Sequence, residues 1–299
     1  MYTVFKFGGA SIKDVANIKN VGEILLSYAE NKLIDQNEKI QQIPILKKRA
    51  IVDVIFRDDL NGDKIPPMNF NLPVVIMAGG KGTRLDPFTR ILPKPLIPIG
   101  NEPLIKVIMD KFKKFGVDNF YVSLNDKGRM IKAYFHDHDL RYHIKYIEED
   151  KPLGTAGALK YLDGKLRIPF IVSNCDNIIH TNYYSIYEFH KEGSYDLTVV
   201  GSMQQYTIPY GVCEIDNGGL LKGIREKPKY DFLVNTGLYL MNPDVLHYIP
   251  EEKYFDMTDL IKVIQKEGLK VGVYPVSEKS WIDVGQWNKY SKTIKELES

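Results

Sequence analysis

The sequence predicts an α/β protein with a mainly parallel mixed sheet, preceded by a small α/β appendage. Three observations carry that expectation. The run PVVIMA at 73–78 is continuously apolar and ends in glycines, as a parallel strand buried on both faces does. Beyond it, strand-like and helix-like segments alternate as far as residue 176, the spacing of right-handed βαβ units. The stretch NGDKIPPMNFN at 61–71 has neither period and is rich in turn residues, so it reads as a connector dividing 1–66 from 67–299.

Each element follows from its own pattern. After the strand at 73–78, Leu104, Ile105, Ile108, Met109, Phe112 and Phe115 recur at three- and four-residue steps, and Gly116 stands where a helix ends. That predicts an amphipathic helix. FYVSLN (120–125) is the next strand, a polar segment over 129–140 the next helix, and IKYIEED (144–150) the strand after it. One more cycle places a helix on TAGALKYL (155–162) and a strand on PFIVSNCD (169–176). The last third changes character. LTVVGSM (197–203), GVCEID (211–216), LKGIREK (221–227) and LVNTGLYLM (233–241) read as strands joined by short turns, and Asn217-Gly218-Gly219 favours an antiparallel hairpin. Helices near 256–267 and 285–297 are expected to close the fold.

A chain of 299 residues is long enough for a large core with a smaller appendage. Its net charge of +2 gives no support to a nucleic-acid partner drawn by bulk charge, so any anion site must be local. Cys175 and Cys213 lie far apart without metal-ligand spacing, which predicts two buried thiols in a reducing compartment. No apolar run reaches the length of a membrane span, and the first residues lack a secretion pattern. The expected location is the cytoplasm, with no membrane partner. His136, Asp137, His138 and His143 alternate along a polar segment and do not converge on a zinc site.

The stretch AGGKGTRLDPFTRILPKP (78–95) concentrates glycines, prolines and cations directly after the first buried strand. Glycines there allow a tight turn and bring backbone amides close to a ligand, and following cations neutralise phosphate. The spacing is neither that of a Walker A loop nor that of a dinucleotide fold. Arg84 offers a planar fork for two phosphate oxygens, whereas Lys94, held between Pro93 and Pro95, is a point charge on a stiffened loop.

Taken whole, the string resembles the signature of the sugar nucleotidyltransferases, in which a strand runs into Gly-Gly-x-Gly-Thr-Arg-Leu and then Pro-Lys-Pro. The likeness extends over about 73–299. It implies a Rossmann-like nucleotidyltransferase domain. It also implies a reaction in which the phosphate of a sugar 1-phosphate attacks the α-phosphorus of a nucleoside triphosphate, pyrophosphate leaves, and Mg²⁺ assists. By resemblance Arg84 and Lys94 are catalytic, Ala78, Gly79, Gly80, Gly82 and Thr83 cradle the nucleotide, and Asp176 and Asp283 bind the metal. Outside the resemblance, an aspartate after a strand is more often a turn or cap residue.

LGTAG at 153–157 places Gly154, Thr155 and Ala156 against the nucleoside by the same likeness, while on its own Thr155 reads as a helix N-cap. Asn125 is a candidate for the edge of the base. Tyr210, Gly211, Asn235 and Thr236 correspond to the family's sugar-side residues. Glu226 is a candidate acceptor for sugar hydroxyls and Lys227 a candidate for the sugar phosphate, although an isolated Glu-Lys-Pro is more often a solvated strand end. Asn235 and Thr236 interrupt an apolar strand, where buried polar groups require partners. The base is not specified, although family analogy leans to GTP. The sugar is open among hexose, amino-sugar and heptose phosphates.

The first residues depart from this pattern. FKFGGASIKDVANIKNV (5–21), with Lys6, Gly8 and Gly9, resembles the beginning of an aspartate kinase, but the rest of such a domain is missing. IQQIPILKKRAIVDVIFRDDL (40–60) resembles half of a cystathionine-β-synthase-type (CBS) module. Residues 1–66 are therefore expected to form a truncated appendage that docks a partner or supports a homo-oligomer. A competing reading makes the chain a regulatory protein that senses an adenine nucleotide through this segment and only binds ligands elsewhere. The intact set of glycine loop, cations and aspartates argues against it.

Overall fold

The structure, a computed structural model, describes residues 2–4, 42–47, 50–56, 72–80, 82–125, 127–138 and 142–285. The turn at Lys6–Gly9, the connector at 61–71 and the part of the closing helix expected beyond Gly285 lie outside these residues. Two compact units are present: one takes 1–62, 201–234 and 275–278, the other 63–200, 235–274 and 279–299.

Strands β1 (Tyr2–Val4), β2 (Gln42–Lys47) and β3 (Ala50–Phe56) form an antiparallel sheet in that order within the first unit. In the second unit, β4 (Val74–Met77) is buried along its whole length, as its uninterrupted apolar run requires. A short helix α1 (Phe88–Ile91) and the small ladder β5 (Pro98–Ile99) with β6 (Glu102–Pro103) follow. Helix α2 (Leu104–Lys113) buries Leu104, Ile105, Ile108, Met109 and Phe112, the stripe that its sequence spacing predicts. Each such side chain stabilises the fold by roughly 1.5–3 kcal/mol. Gly116, at φ +85°, lets the chain turn out of the helix in a conformation that a Cβ would penalise.

Then come β7 (Asn119–Leu124), α3 (Gly128–Asp137), β8 (His143–Glu148), β9 (Phe170–Asn174), β10 (Asn177–Ile179) and α4 (Tyr183–Glu192). Strand β11 (Leu197–Thr207) leads into the first unit. There β12 (Val212–Ile215) and β13 (Leu221–Arg225) make the expected antiparallel hairpin, with Gly218 and Gly219 at φ +86° and +85° in its turn. Strand β14 (Lys229–Met241) returns to the second unit, which is completed by α5 (Met257–Lys266), β15 (Val271–Val276) and β16 (Trp281–Asp283).

The main sheet has seven strands in the order β15-β11-β14-β9-β4-β7-β8. Strands β9, β4, β7 and β8 are parallel neighbours, while β14 runs antiparallel to β9. This is the mainly parallel mixed α/β sheet that the alternation of patterns predicts. Val75, Phe170, Val172, Tyr239 and Met241 of the sheet pack with Leu159, Leu246, Leu260 and Ile264 in one core cluster.

Two local expectations are corrected. Residues 155–162 do not form an α-helix; Gly157–Leu162 is a 3₁₀ turn. The amides of Ala156 and Gly157 both donate to the carbonyl of Phe255, each at 3.0 Å, which ties the start of this turn to a distant segment. Of the two cysteines, Cys175 is buried but Cys213 is exposed, on the two-stranded hairpin that β12 forms with β13.

Candidate active site

The parallel registers pair Met77 with Ser123 and Asn174, and Leu124 with Glu148. The glycine loop, Asn125, Glu149 and Asp176 therefore all spring from the carboxyl edge of one sheet, where α/β folds bind ligands. The loop is rooted by Ala78, whose amide donates to the Ser123 hydroxyl at 3.1 Å. A Cβ on Gly79 would lie 2.5 Å from Glu149 Oε1, so a side chain there would have to displace that buried carboxyl. Gly82 combines φ +67° with a Cβ position 2.8 Å from the Thr89 methyl and 3.0 Å from Lys94 Cβ. A Cβ on Gly80 would meet no described atom within 4 Å, so the space beside its backbone is open. Thr83–Leu85 forms a 3₁₀ turn anchored by buried Leu85, and Arg84 projects from it with its side chain 64% exposed.

Lys94 is the opposite case, buried in a 3₁₀ turn that Pro93 and Pro95 stiffen. Its ammonium donates to Asp176 Oδ2, and Arg84 Nη2 stands 3.7 Å from the same oxygen. Asp176 lies two residues beyond β9. The ladder of β10 with β16 pairs Asn177 with Asp283, and the Val284 amide donates to the Asp176 carbonyl at 2.9 Å. Residues far apart in the sequence are thereby brought side by side. A Cβ placed on Gly285 would sit 2.6 Å from Asp176 Oδ2, 2.9 Å from Asp283 Oδ1 and 3.3 Å from Lys94 Nζ, so both carboxylates and the ammonium converge on one point. Both oxygens accept within the protein, Asp176 Oδ2 from Lys94 and Asp283 Oδ1 from the Gly285 amide at 2.8 Å. Two hard anionic oxygens close to one point suit a small divalent cation such as Mg²⁺, which ordinarily completes its shell with water and ligand phosphates. Among the described residues no group of three or more His, Cys, Asp or Glu side chains gathers as a ready cation cage. Neighbouring Cys175 has its thiol pushed up to about 12 by burial, and is a packing group rather than a nucleophile.

The segment at 149–157 is held from two sides. Glu149, buried and with its carboxyl raised above the ordinary range by that burial, accepts from the Leu153 amide at 3.1 Å and from the Ser123 hydroxyl. Gly154, at φ +82°, packs where a Cβ would lie 2.6 Å from the Phe255 carbonyl oxygen. The amide and hydroxyl of Thr155 both donate to Asp256 Oδ1, at 3.0 and 3.1 Å, and its Oγ1 accepts from the Met257 amide at 2.8 Å. Thr155 thus caps α5, not the turn that follows it in the sequence. Asn125 directly follows β7, with its Cβ 3.5 Å from the Cβ position of Gly79.

Thr236 is buried, as expected of a polar group in an apolar strand, whereas Asn235 is exposed because it stands just before the buried half of β14; both find partners. Asn235 donates to the Tyr239 hydroxyl at 2.8 Å and accepts from the Gly237 amide at 2.9 Å, and Thr236 donates to the Val200 carbonyl at 2.8 Å. Gly237, at φ +80°, faces the amide groups of Asn174 and Asn177, and Trp281 Nε1 donates to Asn177 Oδ1 at 3.1 Å. In the first unit, Tyr210, Gly211, Glu226 and Lys227 come together. The Lys227 amide donates to the Tyr210 carbonyl at 3.2 Å, and a Cβ on Gly211 would lie 3.0 Å from Glu226 Oε2. Lys227 takes φ +44°, a conformation costly for a residue with a side chain.

Sequence reasoning missed Glu149, Asn174, Asn177 and Lys127. Asn174 and Asn177 bracket Cys175-Asp176 in SNCDN, a polar end to an apolar run that could have marked them. Glu149 carried no local signal beyond following a strand.

A mainly parallel α/β sheet with a glycine loop, two cations and two carboxylates beyond its strand ends is the architecture of a domain that handles phosphorylated nucleotides. The comparisons with known proteins narrow this. The chain belongs to the nucleotidyl transferase family, whose model matches residues 73–299. It is 32% identical over 230 residues to mannose-1-phosphate guanylyltransferase 1 of Arabidopsis thaliana, covering 73% of this chain and 63% of that protein. It is 29% identical over 245 residues to the UTP–glucose-1-phosphate uridylyltransferase of a Synechocystis strain, covering 75% and 63%. The chain thus spans 63% of the length of these curated relatives. Among solved structures, HddC from Yersinia pseudotuberculosis superposes with a TM-score of 0.60 at 26% identity, over 76% of this chain and 99% of that one, and has also been solved with GMP-PN.

Proposed function

We propose that the protein is a Mg²⁺-dependent sugar-1-phosphate nucleotidyltransferase, joining a nucleoside monophosphate from an NTP to a sugar 1-phosphate with release of pyrophosphate. The observation that carries this reading is the convergence of Lys94, Asp176 and Asp283 on one point, with Arg84 beside them. Two anions must meet in such a reaction, so charge neutralisation and alignment are the main catalytic tasks, and no covalent nucleophile is needed.

In this reading Ala78, Gly79, Gly80, Gly82 and Thr83 present backbone to the nucleotide, and Asn125 and Gly154–Ala156 flank the nucleoside. Arg84 and Lys94 grip the phosphates. Asp176 and Asp283 would hold the Mg²⁺, which when bound supplies charge neutralisation at the transferring phosphate. Tyr210, Gly211, Glu226, Lys227, Asn235 and Thr236 serve the sugar phosphate, with the strained Lys227 presenting its ammonium. Guanine is the favoured base, on the strength of several guanylyltransferase relatives at 31–32% identity and of the GMP-PN complex of HddC. The product would serve glycan or surface-polysaccharide assembly. Residues 1–66 act as an appendage to the transferring domain at 67–299 and are the candidate for homo-oligomer contacts. The reaction would draw on cytoplasmic nucleotide and sugar-phosphate pools. Among the described residues no helix is long and apolar enough to cross a membrane.

The test is pyrophosphate release from four nucleoside triphosphates against a panel of hexose, amino-sugar and heptose 1-phosphates, with Mg²⁺ and then with chelator. Metal-dependent release with one pair, abolished by Asp176→Asn, is expected. Tight nucleotide binding without release from any pair would favour the regulatory reading instead.

A further inference from the structure

Lys127, in the loop after β7, lies outside the glycine signature and every motif legible in the sequence. Its ammonium donates to two backbone carbonyls, those of Thr89 at 2.6 Å and Arg90 at 2.8 Å. These belong to the end of α1, where helical carbonyls lack partners of their own and a cation is well placed. The helix cannot satisfy them by extension, because Leu92 turns to an extended backbone and Pro93 follows.

Both ends of this contact are fixed. At the root, the Gly128 amide donates to the Asn125 carbonyl at 2.8 Å, and a Cβ on Gly128 would come within 2.9 Å of Leu124 Cβ, so Gly128 is packed against the end of β7. At the head, α1 connects the two phosphate-facing cations. Arg84 lies just before it, and the turn carrying Lys94 begins at Pro93 just after it. Thr89 also packs its methyl against Gly82, the left-handed residue of the glycine loop. Asp86 accepts from Arg90 through both oxygens, at 2.8 and 2.6 Å, which braces α1 along its other side.

We propose that Lys127 is a positioning residue that ties the nucleoside end of the site, at Asn125, to its phosphate end, at Arg84 and Lys94. The inference rests on the nucleotidyltransferase reading. Lys127 does not touch the phosphates; it holds the backbone from which their cations are presented. The ammonium reaches two carbonyls at once, so Arg should replace it well, Gln partly and Met not at all.

The experiment is calorimetric binding of inorganic pyrophosphate and, separately, of guanosine to the full-length chain with Mg²⁺ present, for wild type, Lys127→Arg, Lys127→Gln and Lys127→Met. Hydrogen exchange across 82–96 is followed on the same proteins. Pyrophosphate affinity should fall about tenfold or more in Lys127→Met and less in Lys127→Gln, with guanosine affinity held within about twofold and faster exchange over 82–96. Lys127→Arg should bind pyrophosphate within about threefold of wild type. Equal pyrophosphate affinity in folded Lys127→Met and wild type would overturn the inference while leaving the enzymatic reading in place. If Lys127→Met does not fold, equal affinity in Lys127→Gln and Lys127→Arg has the same force. A wild-type protein that binds no pyrophosphate at all would overturn both.

Discussion

Gly285 is the position where the proposed metal site can be disturbed with the least damage to the rest of the molecule. It is buried, and the Cβ of an alanine there would lie 2.6 Å from Asp176 Oδ2 and 2.9 Å from Asp283 Oδ1. To regain an ordinary contact of 3.4 Å, the two oxygens must retreat by about 0.8 Å and 0.5 Å. Both atoms are the ends of side chains, so rotation rather than backbone movement absorbs the shift. Metal ligation tolerates errors of about 0.2 Å, and misplacement of reacting groups by about 1 Å can cost a hundredfold. Gly285→Ala is therefore expected to lower kcat by about 10- to 100-fold and to raise the Mg²⁺ concentration at half-maximal rate. Its melting temperature should stay close to wild type, because alanine also restricts the unfolded chain. The assay is pyrophosphate release over a Mg²⁺ titration, paired with thermal unfolding. A folded variant whose rate and Mg²⁺ dependence both lie within about twofold of wild type would refute the claim that Asp176 and Asp283 act as a pair across Gly285.

Thr155→Ala removes the hydroxyl that caps α5, and urea unfolding should register a loss of about 1 kcal/mol, with Thr155→Ser close to wild type. His190 is buried between Thr198 and Asn242, and burial lowers its pKa from the ordinary 6.5. The neutral ring is therefore favoured in the fold, and its contribution to stability is present above pH 6.5 and lost as pH falls through the window below it. Melting temperature should drop between pH 7.5 and 5.5, less steeply in His190→Gln; parallel slopes would exclude His190 as the cause. Lys227→Gly relieves the left-handed strain while removing the ammonium, so it should raise the KM for the sugar 1-phosphate with little change in stability.

What could be read from the sequence was what local pattern determines. The run at 74–77 could only be a strand covered on both faces, the stripe from Leu104 to Phe112 could only bury one side of a helix, and Asn217-Gly218-Gly219 announced its hairpin. Long-range partners decided the remainder. Residues 155–162 have helical composition, yet they form only a 3₁₀ turn at 157–162 whose entry is fixed by a distant carbonyl, that of Phe255. Cys213 looked like a core thiol and is exposed, because burial depends on what covers a strand and not on the strand's own residues. Glu149 and Lys127 act through contacts with Gly79 and with the carbonyls of residues 89 and 90, and nothing in their immediate neighbours encodes those distances. The juxtaposition of Asp176 and Asp283 was available from the family signature alone; the β10–β16 ladder supplies its physical basis.

That ladder also bears on how the molecule is made. Strands β10 and β16 are three residues each and stand apart from the seven-stranded sheet, and their pairing closes a loop of roughly a hundred residues. A chain emerging from the ribosome can assemble β4, β7, β8 and β9, with the glycine loop and Lys94, well before residue 283 has been synthesised. Until then Asp176 has no second carboxylate beside it. The nascent protein would hold phosphate-binding cations without the partner needed for metal chemistry, so nucleotide affinity should appear during synthesis earlier than turnover.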